Sequence, residues 1–182
     1  FFLIDMTQAA VEVRPLSQLT GDAEFNEVFL TDAWVPDAAR IGAVDDGWNV
    51  ARTTLANERV TLSGAGGGIP RVGGRAVDEL IAGARSTGAW EDPLLRDDVV
   101  RRYVEGEVIR FANLRARRLR AAGQPGPEGS MMKLAQALYN RRLQRTAMRV
   151  LGDAGTAWDP ADPRGGDPAH GLLRAQANTI EG

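Results

Sequence analysis

The sequence of 182 residues contains no cysteine and only one histidine, His170. Without cysteine the chain cannot form disulfides, thiolate zinc sites or iron–sulfur clusters. A metal site would have to use carboxylates alone, and a Ser-His-Asp triad would depend on the single histidine. Because residues 167–171 are rich in proline and glycine, we expect His170 to be a solvated loop residue.

The chain also lacks a strong excess of charge of either sign. Its 22 Lys and Arg residues are opposed by 24 Asp and Glu residues, which leaves a formal net charge of -2. No overall basic field therefore points to nucleic acid or to an anionic membrane surface. Aromatic residues are too few, at 6% of the chain, to interleave with the arginines between residues 101 and 118 as nucleic-acid binding requires. We expect these arginines to form a solvated helix face.

Long apolar runs are missing as well. No run approaches the roughly 20 residues that span a bilayer, and no signal peptide precedes the first strand-like residues, so we expect a cytoplasmic protein. The sequence begins without Met and stops without a closing element. We therefore expect both ends to be truncated.

The first 45 residues have the pattern of strands. Short β-branched or aromatic runs separated by turn residues predict strands within 1–4, 11–13 and 25–30. So few strands hardly form a stable domain by themselves. We predict that residues 1–45 are the C-terminal part of a β-domain.

Helical spacing begins at Gly47, with Asp45 or Asp46 placed as an N-terminal cap. Further helices are predicted over 75–84, from Asp92-Pro93 to about residue 119, over 135–151 and over 172–180. The two long helices are joined by a short Pro/Gly loop, which is typical of an up-down bundle. The fold class is therefore α+β, with residues 46–182 forming a helical-bundle domain whose closing helix is absent.

One carboxylate interrupts the apolar stripe of the first helix. Glu58 falls near Val50, Leu55 and Leu62 at helical spacing, where a carboxylate is costly unless it is paired or used. A partly buried carboxylate has a raised pKa and can serve as a general base. The pattern alone favours the structural alternative, an ion pair with Arg59 or with an arginine of the next helix.

A glycine-rich turn follows the fourth helix. Gly152 and Gly155 are expected to form a C-terminal helix cap with a turn. Such a turn can also bring backbone N–H groups to a phosphate. The strand-before, helix-after context of a Rossmann or P-loop fingerprint is missing, which excludes those two interpretations.

Five short segments, taken in order and with their spacing, resemble the acyl-CoA dehydrogenase family. They are Phe25-Asn26-Glu27-Val28-Phe29, Trp34-Val35-Pro36, Gly47-Trp48-Asn49-Val50-Ala51, Asn57-Glu58-Arg59 and Thr179-Ile180-Glu181-Gly182. The resemblance covers essentially the whole chain. It implies the end of a β-domain followed by a C-terminal helical bundle, and it implies FAD-dependent α,β-dehydrogenation of an acyl-CoA thioester.

The resemblance implies roles for several residues. Glu58 matches one of the two positions at which the family places the base that removes the α-proton, and Glu181 is the runner-up because Gly182 occupies the other position. The backbone N–H of Gly182 would donate to the thioester carbonyl. Arg59 resembles a residue that contacts the CoA moiety.

FAD contacts are implied at two further places. Arg85 lies near the family's arginine for the flavin pyrophosphate, and the residues Leu151, Gly152 and Gly155 match a glycine turn that meets the flavin of a neighbouring subunit. In this turn Arg149 replaces the usual Gln and Asp153 replaces a Gly. A carboxylate beside a pyrophosphate is repulsive, so these departures are compatible with a mixed oligomer in which not every subunit holds flavin.

Three functions are therefore expected as alternatives. The first is an acyl-CoA dehydrogenase subunit in a homo- or hetero-oligomer, a dimer of dimers, that passes electrons to an electron-transfer flavoprotein. The second is a non-catalytic partner subunit of a heteromeric dehydrogenase. The third is a flavin-dependent oxidase or monooxygenase with the same fold.

Overall fold

The computed structural model describes residues 1–62, 77–124, 126–157 and 168–180, without the side chains of 58–62 and 129–130. The chain divides into two compact units, Phe1–Glu58 and Arg59–Gly182.

The first unit contains a two-stranded antiparallel sheet. Strands β1 (Val11–Leu16) and β2 (Phe25–Leu30) pair with Val11 opposite Leu30 and Val13 opposite Val28. Apolar side chains on both strands are exposed, among them Val13 and Val28. The hairpin therefore leaves apolar surface on the sheet uncovered, as expected for part of a larger β-structure.

The prediction of a strand at residues 1–4 is wrong. Phe2 forms only an isolated antiparallel bridge with Arg40. Two backbone hydrogen bonds support it, from Leu3 N to Ala39 O at 3.0 Å and from Ile41 N to Phe1 O at 2.8 Å. Residues 1–4 therefore pair only locally, because neither strand of the sheet in the described residues lies beside them.

Helix α1 (Gly47–Leu62) begins where the change of period predicts it. The backbone carbonyl of Asp46 accepts a hydrogen bond from Asn49 N at 3.2 Å, which closes the first turn. Along the predicted apolar stripe, Val50 is half-buried and Leu55 is 43% exposed. The stripe of α1 is thus only partly covered.

The described residues of the second unit from 77 onward form helices α2 (Val77–Ser86), α3 (Pro93–Ala121), α4 (Glu128–Leu151) and α5 (Pro168–Ala177). The predicted start of α3 is confirmed, because Asp92 Oδ1 accepts hydrogen bonds from Leu94 N at 2.8 Å and Leu95 N at 3.3 Å. Pro93 at the first helical position also favours a helix start here, because its fixed φ suits a helix and its missing N–H is not needed there.

Helices α3 and α4 pack antiparallel. Glu105 of α3 pairs with Arg142 of α4 at 3.3 Å, and Gly106 of α3 lies against the ring of Tyr139. The core of the unit lies between α2, α3 and α4 and consists of Leu80, Ala84, Val99, Tyr139, Leu143, Ala147 and Val150. The predicted α4 stripe at intervals of four residues is therefore the core-facing side of that helix.

Two expectations about polar residues are wrong. His170 lies in the first turn of α5 and is half-buried, because the helix begins at Pro168 rather than at residue 172. Arg102 was expected on the solvated face of α3 but is only 9% exposed, and it pairs with Glu105 at 3.5 Å. Both residues belong to helices that pack on α4, so they are less exposed than their local sequence suggests.

Nowhere in the described ranges does a helix combine the length and the apolarity needed to cross a bilayer.

Candidate functional site

The predicted base lies in the second half of α1. Glu58 and Arg59 have helical backbones, four and three residues before the last residue of the helix. The side chains of α1 are described only as far as Asn57, which is exposed. Glu181 and Gly182 lie outside the described residues. The roles of these four predicted site residues remain predictions.

The predicted glycine turn is present at the end of α4. The helix ends at Leu151, and Gly152 has φ 56° and ψ -135°, a backbone conformation that residues with a Cβ rarely adopt. A Cβ on Gly152 would meet no heavy atom within 4 Å, so space around this backbone is open. Its N–H donates to Met148 O and caps the helix. The interpretation as a helix cap is confirmed.

Gly155 has a different reason to be glycine. It is buried in the short 3-10 helix Gly152–Thr156 that follows α4. A Cβ at this position would lie 3.1 Å from Met148 O and 3.2 Å from Leu151 Cβ. Close packing onto the last turn of α4 therefore favours glycine at this position.

The charged residues of the turn point to different environments. Arg149 forms an ion pair with Asp98 of α3, whereas Asp153 is exposed. The ion pair with Asp98 of α3 therefore already balances the positive charge of Arg149, which precedes the turn. The turn itself therefore carries a solvated carboxylate and, at the C-terminal end of α4, the negative end of the helix dipole.

Arg85 stands at the end of α2. Its side chain is exposed, and its guanidinium carbon lies 5.3 Å from the ring centroid of Trp90. Trp90 is half-buried and packs against the core cluster. A guanidinium stacked on an aromatic face keeps its N–H edge free for a planar or tetrahedral anion. The sequence did not predict that Trp90 contacts Arg85. Its position just past the turn at Gly88 was the one local indication of this contact.

The core brings two of the predicted contact segments close to one cluster. Ala84, which precedes Arg85, and Val150, which precedes Leu151, both belong to it. The 3-10 helix after α4 also contacts α5, whose last residue, Ala177, precedes Glu181 by four positions. Arg85 and the glycine turn therefore each adjoin the core cluster of unit 2, and the 3-10 helix of the turn also contacts α5.

A polar layer joins α5 to α4, and sequence reasoning missed it. Gln144 is 1% exposed, and a Cβ on Gly171 would lie 2.8 Å from Gln144 Oε1. Arg141 Nε donates to Gln176 Oε1 at 3.2 Å. These side chains set the height and rotation of α5 on α4.

In the described ranges, no cluster of three or more histidine and carboxylate side chains is placed to hold a metal.

Comparison with known proteins places this arrangement in a family. The family model for the acyl-CoA dehydrogenase C-terminal domain matches residues 45–182. Acyl-CoA dehydrogenase FadE34 of Mycobacterium tuberculosis is 38% identical over 157 residues, which are 85% of this chain and 21% of that protein. Acyl-CoA dehydrogenase IpdE1 of the same organism is 38% identical over 155 residues, 85% of this chain and 39% of that protein.

Solved structures share the fold. The structure described as Tcur3481-Tcur3483 steroid ACAD matches with a TM-score of 0.81 at 22% identity, over 100% of this chain and 47% of that one. The ChsE4-ChsE5 complex from Mycobacterium tuberculosis matches with a TM-score of 0.67 at 19% identity, over 100% and 47%. The chain thus spans less than half the length of the proteins it matches, between 21% and 47%. It belongs to the acyl-CoA dehydrogenase family, and its residues 45–182 match the C-terminal domain of that family.

Proposed function

We propose that the protein catalyses the α,β-dehydrogenation of an acyl-CoA thioester with FAD as cofactor and an electron-transfer flavoprotein as acceptor. The observation that carries the proposal is the family match across residues 45–182. The curated relatives that match at 38% identity are named acyl-CoA dehydrogenases. We also propose that residues 1–45 end the β-domain and that residues 46–182 form the helical domain.

Glu58 is the proposed base. One of its carboxylate oxygens would take the proton from the carbon next to the thioester carbonyl. The backbone N–H of Gly182 would donate to the carbonyl oxygen and stabilise the negative charge that develops there. Glu181 is the alternative base, and Arg59 is the proposed contact to the CoA moiety.

The residues proposed for FAD fit its anionic pyrophosphate in part. Arg85 offers an exposed guanidinium held by Trp90, and Gly152 offers open backbone surface. Arg85 would reach the flavin pyrophosphate, and the turn formed by Leu151, Gly152 and Gly155 would meet the flavin of a neighbouring subunit. When bound, FAD supplies the acceptor for the β-hydrogen at its N5 atom.

A second function is favoured by the electrostatics of the glycine turn. Asp153 is exposed, and the Gly152 N–H already donates to Met148 O. An anion at this turn would meet a carboxylate and the negative end of the α4 dipole. This favours a subunit that works beside a flavin-holding partner. Both similar structures have descriptions that name two chains.

The experiment that tests the first function measures bleaching of bound flavin by acyl-CoA esters without oxygen. The panel would contain straight, branched and bulky acyl groups, including a steroid acyl group because one similar structure is described as a steroid ACAD. We expect Glu58→Gln to keep flavin bound and to lose bleaching. The matched control is Glu79→Gln, which neutralises an exposed carboxylate in the first turn of α2.

The outcomes separate the alternatives. Bleaching that persists in Glu58→Gln but disappears in Glu181→Gln would make Glu181 the base. Protein that is purified without flavin, but gains flavin and activity only when a related chain is present, would identify the partner-subunit function. Reduced flavin that reacts rapidly with oxygen would indicate the oxidase or monooxygenase alternative.

A further inference from the structure

Helix α5 is held on α4 by a row of side-chain amides. Asn140 and Gln144 are four residues apart on α4 and therefore share one side of that helix. Gln144 is buried, and its Nε2 donates to Asn140 Oδ1 at 3.4 Å. Asn140 Nδ2 in turn donates to Oδ1 of Asn178, the first residue after α5. We call this last contact, between Asn140 and Asn178, the asparagine pair.

Contacts to α4 are found near both ends of α5. In the first turn of α5, a Cβ on Gly171 would lie 2.8 Å from Gln144 Oε1. Near the other end, Arg141 Nε donates to Gln176 Oε1 at 3.2 Å. The asparagine pair follows two residues further along α5. Because positions rise along α5 as they fall along α4, the two helices run antiparallel, and the asparagine pair marks where the chain leaves α5.

Asn178 is the last half-buried residue that the structure describes at this end of the chain. The N–H of Ile180 donates to Ala177 O at 2.9 Å, which tightens the chain into a turn as α5 ends. Thr179 is exposed, and Ile180 is 86% exposed. The asparagine pair thus holds the chain four residues before Gly182, the proposed donor to the thioester carbonyl.

A backbone donor to a carbonyl must be placed precisely. Donor–acceptor distances of good hydrogen bonds lie between about 2.7 and 3.2 Å, a range of about half an ångström. The chain from Ile180 to Gly182 can reach over about 7 Å, at about 3.5 Å per residue, so its start has to be fixed. A shift of α5 by one residue would move the chain that follows it by about 1.5 Å. A donor at Gly182 therefore needs an anchor close to it in the chain.

We infer that Asn140 is a positioning residue for the substrate carbonyl. It holds Asn178, which fixes where the chain leaves α5 and therefore where the backbone N–H of Gly182 is presented. The inference rests on the proposed function, in which that N–H binds the thioester carbonyl. Because both asparagine side chains are neutral amides, the pair does not titrate and adds no charge beside the oxygen on which negative charge develops.

The test reads the carbonyl directly in the full-length protein with FAD bound. The probe is the 2-enoyl-CoA product of the acyl-CoA that bleaches the flavin fastest, labelled with ¹³C at the carbonyl carbon. It keeps the thioester carbonyl but cannot be dehydrogenated again at the same bond, so its vibration is measured without turnover. A hydrogen bond to the carbonyl oxygen lowers the C=O stretching frequency. We expect infrared difference spectra to show a lowered frequency in the unchanged protein and a return toward the free value in Asn140→Leu.

Asn178→Leu should behave like Asn140→Leu, and the double variant should shift the frequency no further, because each change breaks the same contact. Asn178→Asp keeps an acceptor for Asn140 Nδ2 and should keep the lowered frequency. In turnover with the saturated acyl-CoA, each leucine variant should lose about tenfold to a hundredfold in kcat, with KM changed less than about threefold. A misplaced donor weakens stabilisation of the transition state more than it weakens binding.

Thr146→Val is the matched control. Thr146 is buried on α4, and its hydroxyl donates to Arg142 O of the same helix at 3.1 Å. The change therefore removes a buried hydrogen bond from α4 without touching the asparagine pair, and it should leave both the frequency and kcat unchanged. Circular dichroism confirms that each variant is folded. Asn178→Leu changes a residue outside the helices and decides the question if Asn140→Leu does not fold.

The outcomes separate this inference from the proposed function. A lowered frequency that persists in the leucine variants would overturn the inference and leave the proposed function in place. An equal loss in Thr146→Val would also overturn it, because general loosening of α4 would then suffice. A frequency that is not lowered in the unchanged protein would remove the role of Gly182, and the role of Asn140 with it. Absence of flavin bleaching by every acyl-CoA in the panel would instead mark the failure of the proposed function, on which the inference rests.

Discussion

Arg149 near the end of α4 forms an ion pair with Asp98 near the start of α3. The pair connects the two long helices at the end that leads into the glycine turn. An arginine at this position is therefore explained by packing between helices, and its charge is already matched before any anion approaches the turn.

Removing this pair should cost little stability. The two side chains are 53% and 29% exposed, and pairs of this kind contribute up to about 1 kcal/mol. We expect Asp98→Asn and Arg149→Gln each to lower the free energy of unfolding by up to that amount, and the double variant to lower it no further. Urea unfolding measures the coupling. Asp97→Asn, which removes a pair within α3 only, is the control, and strictly additive losses would contradict a direct Asp98–Arg149 interaction.

Gly106→Ala should destabilise the helical unit, although alanine normally favours a helix by about 1 kcal/mol over glycine. The added Cβ would lie 2.8 Å from Tyr139 Oη and 3.3 Å from Cζ, and overpacking of this kind typically costs about 1–3 kcal/mol. In a Tyr139→Phe background the nearest atom is gone, so the same change should cost less. Thermal unfolding of the four variants measures this, with Arg117→Ala on the exposed side of α3 as control. Equal losses in both backgrounds would show that Tyr139 is not the obstacle.

Gly171→Ala should loosen α5 from α4. Its Cβ would lie 2.8 Å from Oε1 of Gln144, whose side chain is buried at 1% exposure. We expect faster amide hydrogen exchange in α5, and little further effect in a Gln144→Ala background. Gly126→Ala is the control, because its Cβ would meet only the end of the Glu128 side chain, which can move. Unchanged exchange in Gly171→Ala would refute the close contact.

Gly152→Ala tests backbone conformation separately from packing. No heavy atom lies within 4 Å of the added Cβ, so the whole effect comes from φ 56° and ψ -135°. Strain of this kind costs about 1–3 kcal/mol. We expect a loss of stability in that range in urea unfolding, accompanied by weaker FAD binding if the turn contacts the cofactor. Gly155→Ala provides the comparison, since its cost arises from contact with Met148 O. A fully stable Gly152→Ala variant would contradict the conformation of the turn.

The carboxylate of Glu107 should titrate below its ordinary pKa of 4.5, because it accepts hydrogen bonds from Arg110. A lowered pKa in the folded state contributes stability that is present above pH 4.5 and is lost as the pH falls through the folded value. Carboxyl NMR shifts against pH measure this directly. Arg110→Gln should move the pKa of Glu107 back toward 4.5, whereas Arg115→Gln should leave it in place. A midpoint at the ordinary value in the unchanged protein would show that the pair does not persist in solution.

Several features could be read from local sequence. Asp92 followed by Pro93 predicts the start of α3, because the cap and the fixed proline φ act within one turn. The interval of four residues from Tyr139 through Leu143 to Ala147 predicts the buried side of α4, because the helical period decides which residues share a face. The motif of residues 57–59 placed Glu58 within α1, and its chemical role is still a proposal.

Other features were decided only by tertiary packing. Val99 and Val100 are equally apolar neighbours, yet α4 and α2 cover the first and leave the second exposed. Arg102 is buried on α3, which packs against α4, and it pairs with Glu105. The partners of Arg85 and Arg149, Trp90 and Asp98, follow from the fold of the turn after α2 and from the antiparallel packing of α3 on α4. By itself the sequence determined the period of the long helices, the start of α3, the end of α4 and the family of the chain, because these depend on neighbours within a few residues or on ordered motifs. Which face of α3 meets the core depends on residues about 40 to 50 positions away, which only the tertiary structure brings together.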